Sequence, residues 1–221
     1  MKFKHILLIV VSILLFSQAG NTQTEADKLI NAIREKSNSI QSFEVQATIH
    51  VDVEFINIKD RQVKINYEAP DQFDFDAEGL LLLPKSGVQM EYMTLLNEEF
   101  TAIEAGTDNV RDVFTKIIKV IPEALESDII LAQLWIDPEE NRIMRMKTFT
   151  RSSGSYLVDF EYKNPKDLMP MRLEVVFEMG NMSVPMKMMT DFMSKNASKE
   201  EAIPDEARVI IEYSDYNITL K

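Results

Sequence analysis

From Phe43 to Phe55 every odd position is apolar: Phe43, Val45, Ala47, Ile49, Val51, Val53 and Phe55. The positions between them are polar or small and charged, from Glu44 and Gln46 through His50 to Glu54. Successive side chains of a strand point to opposite faces, so this spacing predicts one strand with a dry face and a wet face. An ordinary strand has about 5 to 6 residues. At roughly 3.3 Å per residue this one would run about 40 Å, too long to stay flat in a twisting sheet. The pattern therefore predicts a large curved antiparallel sheet, apolar on one side only.

Before that strand, Thr24 to Ser37 predicts a helix. Thr24 is the cap, Glu25 and Asp27 fall in the first turn, and Ala26, Leu29, Ile30 and Ile33 share one face. After it, Arg61 to Ala69 alternates again with Val63, Ile65 and Tyr67 on one side, and Pro70-Asp71 breaks the run. Gln72 to Ala77 resumes with Phe73 and Phe75 inward. Leu80 to Leu83, Val88 to Leu96 and Phe100 to Ile103 predict further strands of a meander.

Thr107 to Ile121 changes period. Val110, Val113, Phe114, Ile117, Ile118 and Ile121 follow the i, i+3, i+4, i+7 rule, and Pro122 ends the segment. This predicts a second helix laid over the sheet, as core or as a lid built from those six residues. Beyond it, Asp128 to Asp137 and Asn141 to Thr150 predict a hairpin that carries the single tryptophan, Trp135. Gly154 to Lys163, Met171 to Met179 and Met182 to Phe192 alternate, with a Gly180-Asn181 turn between the last two, and Ser194 to Glu206 reads as a loop. The final strand has Val209, Ile211 and Tyr213 inward. Its phase then flips to Tyr216, Ile218 and Leu220, which predicts a bulge near Ser214-Asp215.

Composition narrows the function. Lys2 and Lys4, an apolar run from Ile6 to Phe16, and Ser17-Gln18-Ala19 have the layout of a cleavable secretory signal over residues 1–19. The chain has no cysteine. An exported form would hold no disulfide and no cysteine-borne lipid anchor, so residues 20–221 are expected as one soluble domain that relies on its core. The net charge of −12 opposes nucleic acid and anionic membrane surfaces.

Candidate chemistry is sparse. His50 is the one histidine beyond the signal and lies on the wet face of the long strand, which reads as a solvated side chain. Zinc sites of the usual kind, nucleophile elbows and phosphate-binding glycine loops are missing from the sequence, and no cofactor is implied. Asp52 and Glu54 share a face, as chance pairs do in a chain with 36 acidic residues. The sequence does not read as an enzyme. One oddity is the run Met179, Met182, Met186, Met188, Met189 and Met193. Methionine suits core filling, an adaptable apolar wall, or a soft Cu(I) site.

The order of features resembles the LolA-like lipoprotein carrier superfamily. It runs from a signal and an amphipathic helix to a long strand from Ser42-Phe43, then Tyr67-Glu68-Ala69-Pro70-Asp71-Gln72-Phe73, Gly79 and Leu83-Pro84. Leu134-Trp135-Ile136-Asp137, Asn141-Arg142-Ile143 and Tyr213-Ser214-Asp215-Tyr216-Asn217 follow. The resemblance implies an α+β fold: a strongly curved antiparallel half-barrel of about ten or eleven strands with helices covering its concave face. It also implies a soluble periplasmic carrier, a monomer that holds acyl chains of lipoproteins or lipids between a membrane exporter and an outer-membrane acceptor. By strand parity the expected cavity wall is Phe43, Val45, Ile49, Val51, Phe73, Phe75, Trp135, Met171, Met179, Met186 and Met188. The alternative is a half-barrel interaction module that binds and regulates an envelope protein.

Overall fold

The computed structural model describes residues 24–53, 56–57, 59–76, 91–152, 154–178 and 206–221. The expected signal, the Leu80–Leu83 run, the Gly180-Asn181 turn and the methionine run lie outside the described residues.

Helix α1 (Glu25–Asn38) starts where the sequence places it. The Thr24 hydroxyl accepts the Asp27 backbone N–H, and the Asp27 carboxylate accepts the Thr24 backbone N–H, so two orphan donors are satisfied reciprocally. Ala26, Leu29, Ile30 and Ile33 are its buried stripe.

The described strands are β1 (Ile40–Val53), β2 (Ile56–Asn57), β3 (Arg61–Glu68), β4 (Gln72–Asp76), β5 (Phe100–Val110) and β6 (Val113–Pro122). The chain continues with β7 (Ile129–Asp137), β8 (Arg142–Thr150), β9 (Ser155–Glu161), β10 (Arg172–Glu178) and β11 (Glu206–Leu220). They form one open 11-stranded antiparallel sheet in the order β4-β3-β1-β11-β10-β9-β8-β7-β6-β5, with β2 paired to the end of β1. The long first strand is the hinge of the topology. It joins β3 on one side and the C-terminal β11 on the other, which ties the two ends of the described chain together.

The main core lies on one face of this sheet. Phe43, Val45, Ala47 and Ile49 of β1 are buried there with Ile211, Leu173, Phe160, Leu134 and Ile118. Helix α1 and a short helix α2 (Glu91–Asn97) pack on the same core through Ile30, Ile33, Tyr92, Leu95 and Leu96. The Arg34 Nε donates to the Leu96 carbonyl and ties the two helices together. Among the described residues no helix is long and apolar enough to cross a membrane.

Two expectations are corrected. From Glu91 onward, the segment expected as the strand Val88 to Leu96 is not extended. Its described part is α2, because Tyr92, Leu95 and Leu96 recur at helical spacing and face the core together. The helix expected over Thr107 to Ile121 is a hairpin of β5 and β6. The two strands meet at Arg111 and Asp112, with φ of 50° and 63°, both left-handed as a tight two-residue hairpin turn requires. The physical reason is burial on both faces. Ile118 and Val120 enter the main core, whereas Val110, Val113 and Ile117 pack around Trp135 and Met144 in a second cluster. A strand covered on both sides loses its alternation, and a twofold apolar run then imitates helical spacing.

The bulge expected near Ser214-Asp215 is present. Glu44 pairs with Asn217 and Gln46 with Ser214, so Asp215 and Tyr216 together oppose Val45. Asp215 takes φ 58° to make the step. The consequence is positional: Tyr213 and Tyr216, three apart, both reach the core face.

Candidate functional site

Most of the expected wall is contiguous where β11, β1, β3 and β4 lie side by side. Phe43 stacks on Tyr67 with ring centroids 5.0 Å apart, Tyr67 lies 4.8 Å from Phe73, and Phe73 lies 6.3 Å from Phe75. Tyr216 closes the other side at 6.0 Å from Phe43. Val45 and Ile49 are fully buried beside them, and Val51 packs half-buried at the far end of β1. Phe73 and Phe75 belong to the terminal strand β4 and are only half-buried. Among the described residues the apolar surface therefore runs from a closed core to the edge strand of the sheet.

Other expected residues fall elsewhere. Trp135 is on the opposite face of the sheet in the second cluster, and its indole N–H donates to Asp108 Oδ2 at 3.1 Å. Parity failed there because β7 is apolar on both faces, and a register shift beside Trp135 lets Met144 join it. Met171 precedes β10 and is 39% exposed, so it adds nothing to the buried wall. Met179, Met186 and Met188 lie outside the described residues. The six residues expected on a lid helix are split by the β5–β6 hairpin. Ile118 is core, Val110, Val113 and Ile117 serve the second cluster, and Phe114 and Ile121 are exposed.

Sequence reasoning placed Tyr67, Tyr213 and Tyr216 inward but left the tyrosines out of the expected wall. Tyr67, Tyr92, Tyr162, Tyr213 and Tyr216 all contribute to the core, and burial pushes each phenol above its ordinary range. They stay neutral donors at any physiological pH. Three of them donate to backbone carbonyls: Tyr67 to Pro70 at 2.9 Å, Tyr216 to Pro170 at 3.0 Å and Tyr162 to Ile143 at 3.1 Å. For Tyr67, Tyr162, Tyr213 and Tyr216 the signal was their place in alternating segments, whereas Tyr92 faces the core from helix α2.

The opposite face of the same four strands is polar. Ser42 pairs with Glu68 and Thr219, and Glu44 pairs with Asn66 and Asn217. With Gln72 and Asp74 these residues line a groove of about 920 Å³. Glu44, which lines it, pairs with Lys64 of β3 at 2.8 Å. Farther along the sheet, Arg145 grips Asp159 through two hydrogen bonds, and Arg142 pairs with the buried Asp137 at 3.0 Å. These are strand-to-strand clamps rather than reactive groups.

His50 Nδ1 lies 2.7 Å from Asp60 Oδ1, and that hydrogen bond holds the imidazolium above its usual pKa. Both side chains are at least half exposed, so the pair has no dry site in which to move a proton selectively. Among the described residues no group of three or more His, Cys, Asp or Glu could hold a metal ion.

No family model and no curated protein matches the sequence. Solved structures do match. A candidate outer-membrane lipoprotein-sorting protein domain from Vibrio parahaemolyticus superposes with a TM-score of 0.57 at 12% identity, over 88% of this chain and 93% of that one. A DUF1329 family protein from Desulfovibrio piger gives 0.55 at 9% identity, over 86% and 90%. A LolA superfamily protein from Nitrosomonas europaea gives 0.51 at 12% identity, over 86% and 93%. At such identities the likeness is one of backbone alone, and it matches the open sheet with its two packed helices: the chain has a LolA-like fold.

Proposed function

We propose that the protein is a soluble periplasmic carrier or binding protein for acyl chains of lipids or lipoproteins, not an enzyme. The observation that supports this reading best is the aromatic wall of Phe43, Tyr67, Phe73 and Phe75, which reaches a half-exposed sheet edge. An enclosed core has no need to end in half-buried phenylalanines. A hydrocarbon chain would gain about 0.8 kcal/mol for each methylene it buries there. Two of the superposed structures carry names tied to LolA and to lipoprotein sorting, and the same fold here favours the same class of cargo. Export by a cleaved signal over residues 1–19, a monomeric domain over residues 20–221, an exporter and an acceptor belong to this proposal.

The test is direct. Phe73→Asp should lower the affinity for a fluorescent fatty-acid probe by about ten- to a hundredfold, the equivalent of one lost phenylalanine contact. The sheet should stay folded, because β4 is its terminal strand among the described residues. Native mass spectrometry of the protein from its host should show bound lipid. A protein that carries no lipid, and binds the probe equally before and after the change, would instead be the interaction module, with the polar groove as its docking face.

A further inference from the structure

The tyrosines of the core face are not equivalent. Those at 67, 162 and 216 have spent their hydroxyl hydrogens on backbone carbonyls. The hydroxyl of Tyr213 is buried, and among the described residues no group accepts from it. Tyr213 is only 7% exposed, and its neighbours in the sheet are apolar: Ala47 stands opposite it on β1, and Ile211 precedes it on the same face. Tyr92 of α2 is close enough to help push its phenol upward. A phenylalanine would fill this position without a stranded donor, so the hydroxyl costs stability in the protein alone.

We propose that the Tyr213 hydroxyl donates a hydrogen bond to the ester or amide carbonyl of a bound acyl chain. This rests on the carrier reading above. Two observations give the chemistry. A neutral phenol can donate and accept, and its stranded hydrogen is satisfied only by a group that accepts. It must also enter apolar surroundings, where a neutral carbonyl is far cheaper to desolvate than an ionised carboxylate. The rest of the ligand has a path. From Tyr213 the rings step to Tyr216 at 5.7 Å, to Phe43 at 6.0 Å, to Phe73 at 6.4 Å and to Phe75 at 6.3 Å, ending on the terminal strand. Methylenes lie against that track while the carbonyl is held at its buried end. The Asp215 bulge builds the arrangement, since it brings Tyr216 onto the same face as Tyr213.

The experiment compares Tyr213→Phe with the unaltered protein against two probes. One is a pyrene-labelled fatty-acid methyl ester; the other is a pyrenyl-alkane of equal length with no acceptor. Loss of one neutral hydrogen bond should weaken the ester by about three- to tenfold and leave the alkane unchanged. The melting temperature should stay level or rise. Tyr216→Phe serves as the control: its hydroxyl is already taken by Pro170, so it should melt lower and treat both probes alike. Equal affinities of Tyr213→Phe and the unaltered protein for the ester would overturn the inference and assign the hydroxyl to a buried water. A lower melting temperature in Tyr213→Phe would also overturn it, by revealing a protein partner. If the unaltered protein binds neither probe, the carrier reading itself fails and the Tyr213 inference falls with it.

Discussion

Helix α1 and the β5–β6 hairpin carry nearly the same apolar spacing and fold differently. In α1, Ala26, Leu29, Ile30 and Ile33 make one stripe, and polar residues cover the rest. In the hairpin, Val110, Val113, Phe114, Ile117, Ile118 and Ile121 repeat that spacing, yet the segment is extended. Three local differences separate them. Helix α1 opens on a capping box; the hairpin has none in its place. Residues 113 to 121 are rich in β-branched side chains, which lose χ1 freedom in a helix and fit a pleated surface. Arg111 and Asp112 turn the chain back at positive φ. The deeper lesson is that helical spacing identifies a helix only when a single face is to be buried.

The largest test of this contrast is a pair of alanine substitutions. On a helix, Phe114 and Ile118 would share a face and cost alike. In the hairpin, Ile118 is fully buried and Phe114 is 52% exposed. Ile118→Ala should therefore lose about 2–5 kcal/mol and Phe114→Ala no more than about 0.5 kcal/mol. Urea melts of both variants measure it, and similar losses would return the segment to a helix.

A smaller effect probes the ends of the two elements. Thr24→Ala removes the α1 cap and should cost about 1 kcal/mol. At Asp112 the expected order is unusual. Glycine should be neutral or stabilising at φ 63°, while Asp112→Val should cost about 1–2 kcal/mol. Inside a helix the glycine would be the harmful change, so calorimetric melts of the two Asp112 variants distinguish the folds by sign.

The smallest effect concerns a strand with one wet face. His50 has its pKa raised, chiefly by the Asp60 hydrogen bond. A raised folded value means that the stabilisation is complete below the unfolded pKa of about 6.5 and is lost as pH rises through the folded value. Both groups are at least half exposed, so screening limits the gain to about a few tenths of a kcal/mol. An NMR titration of the His50 ring should show the upward shift, and Asp60→Asn should abolish it. A large change of stability over that range would mean that the face of β1 carrying His50 is not solvated.

The sequence legibly contained α1 with its Thr24 cap, the long β1 and its dry face, the β7–β8 hairpin, the β10 and β11 alternations and the bulge at Asp215. Each depends on local chemistry or on burial of one face, and a periodic pattern records both. It also placed Phe43, Val45, Ile49, Phe73 and Phe75 on one face of the sheet, because strand parity survives wherever the opposite face is wet. Tertiary structure decided the rest. Trp135 left the wall because Val110 and Met144 gave it a second dry surface on the other side of the sheet. The β6 segment became a strand because β7 offered a paired edge and residues from each of its faces found a different cluster, Ile118 and Val120 the main core and Val113 and Ile117 the second. The Tyr213 hydroxyl was left without an acceptor because its neighbours are set by register and bulge rather than by sequence distance. A pattern along the chain reports how many faces a segment hides only when that number is one; when two faces are buried, the partners that cover them come from distant residues, and only the folded chain specifies them.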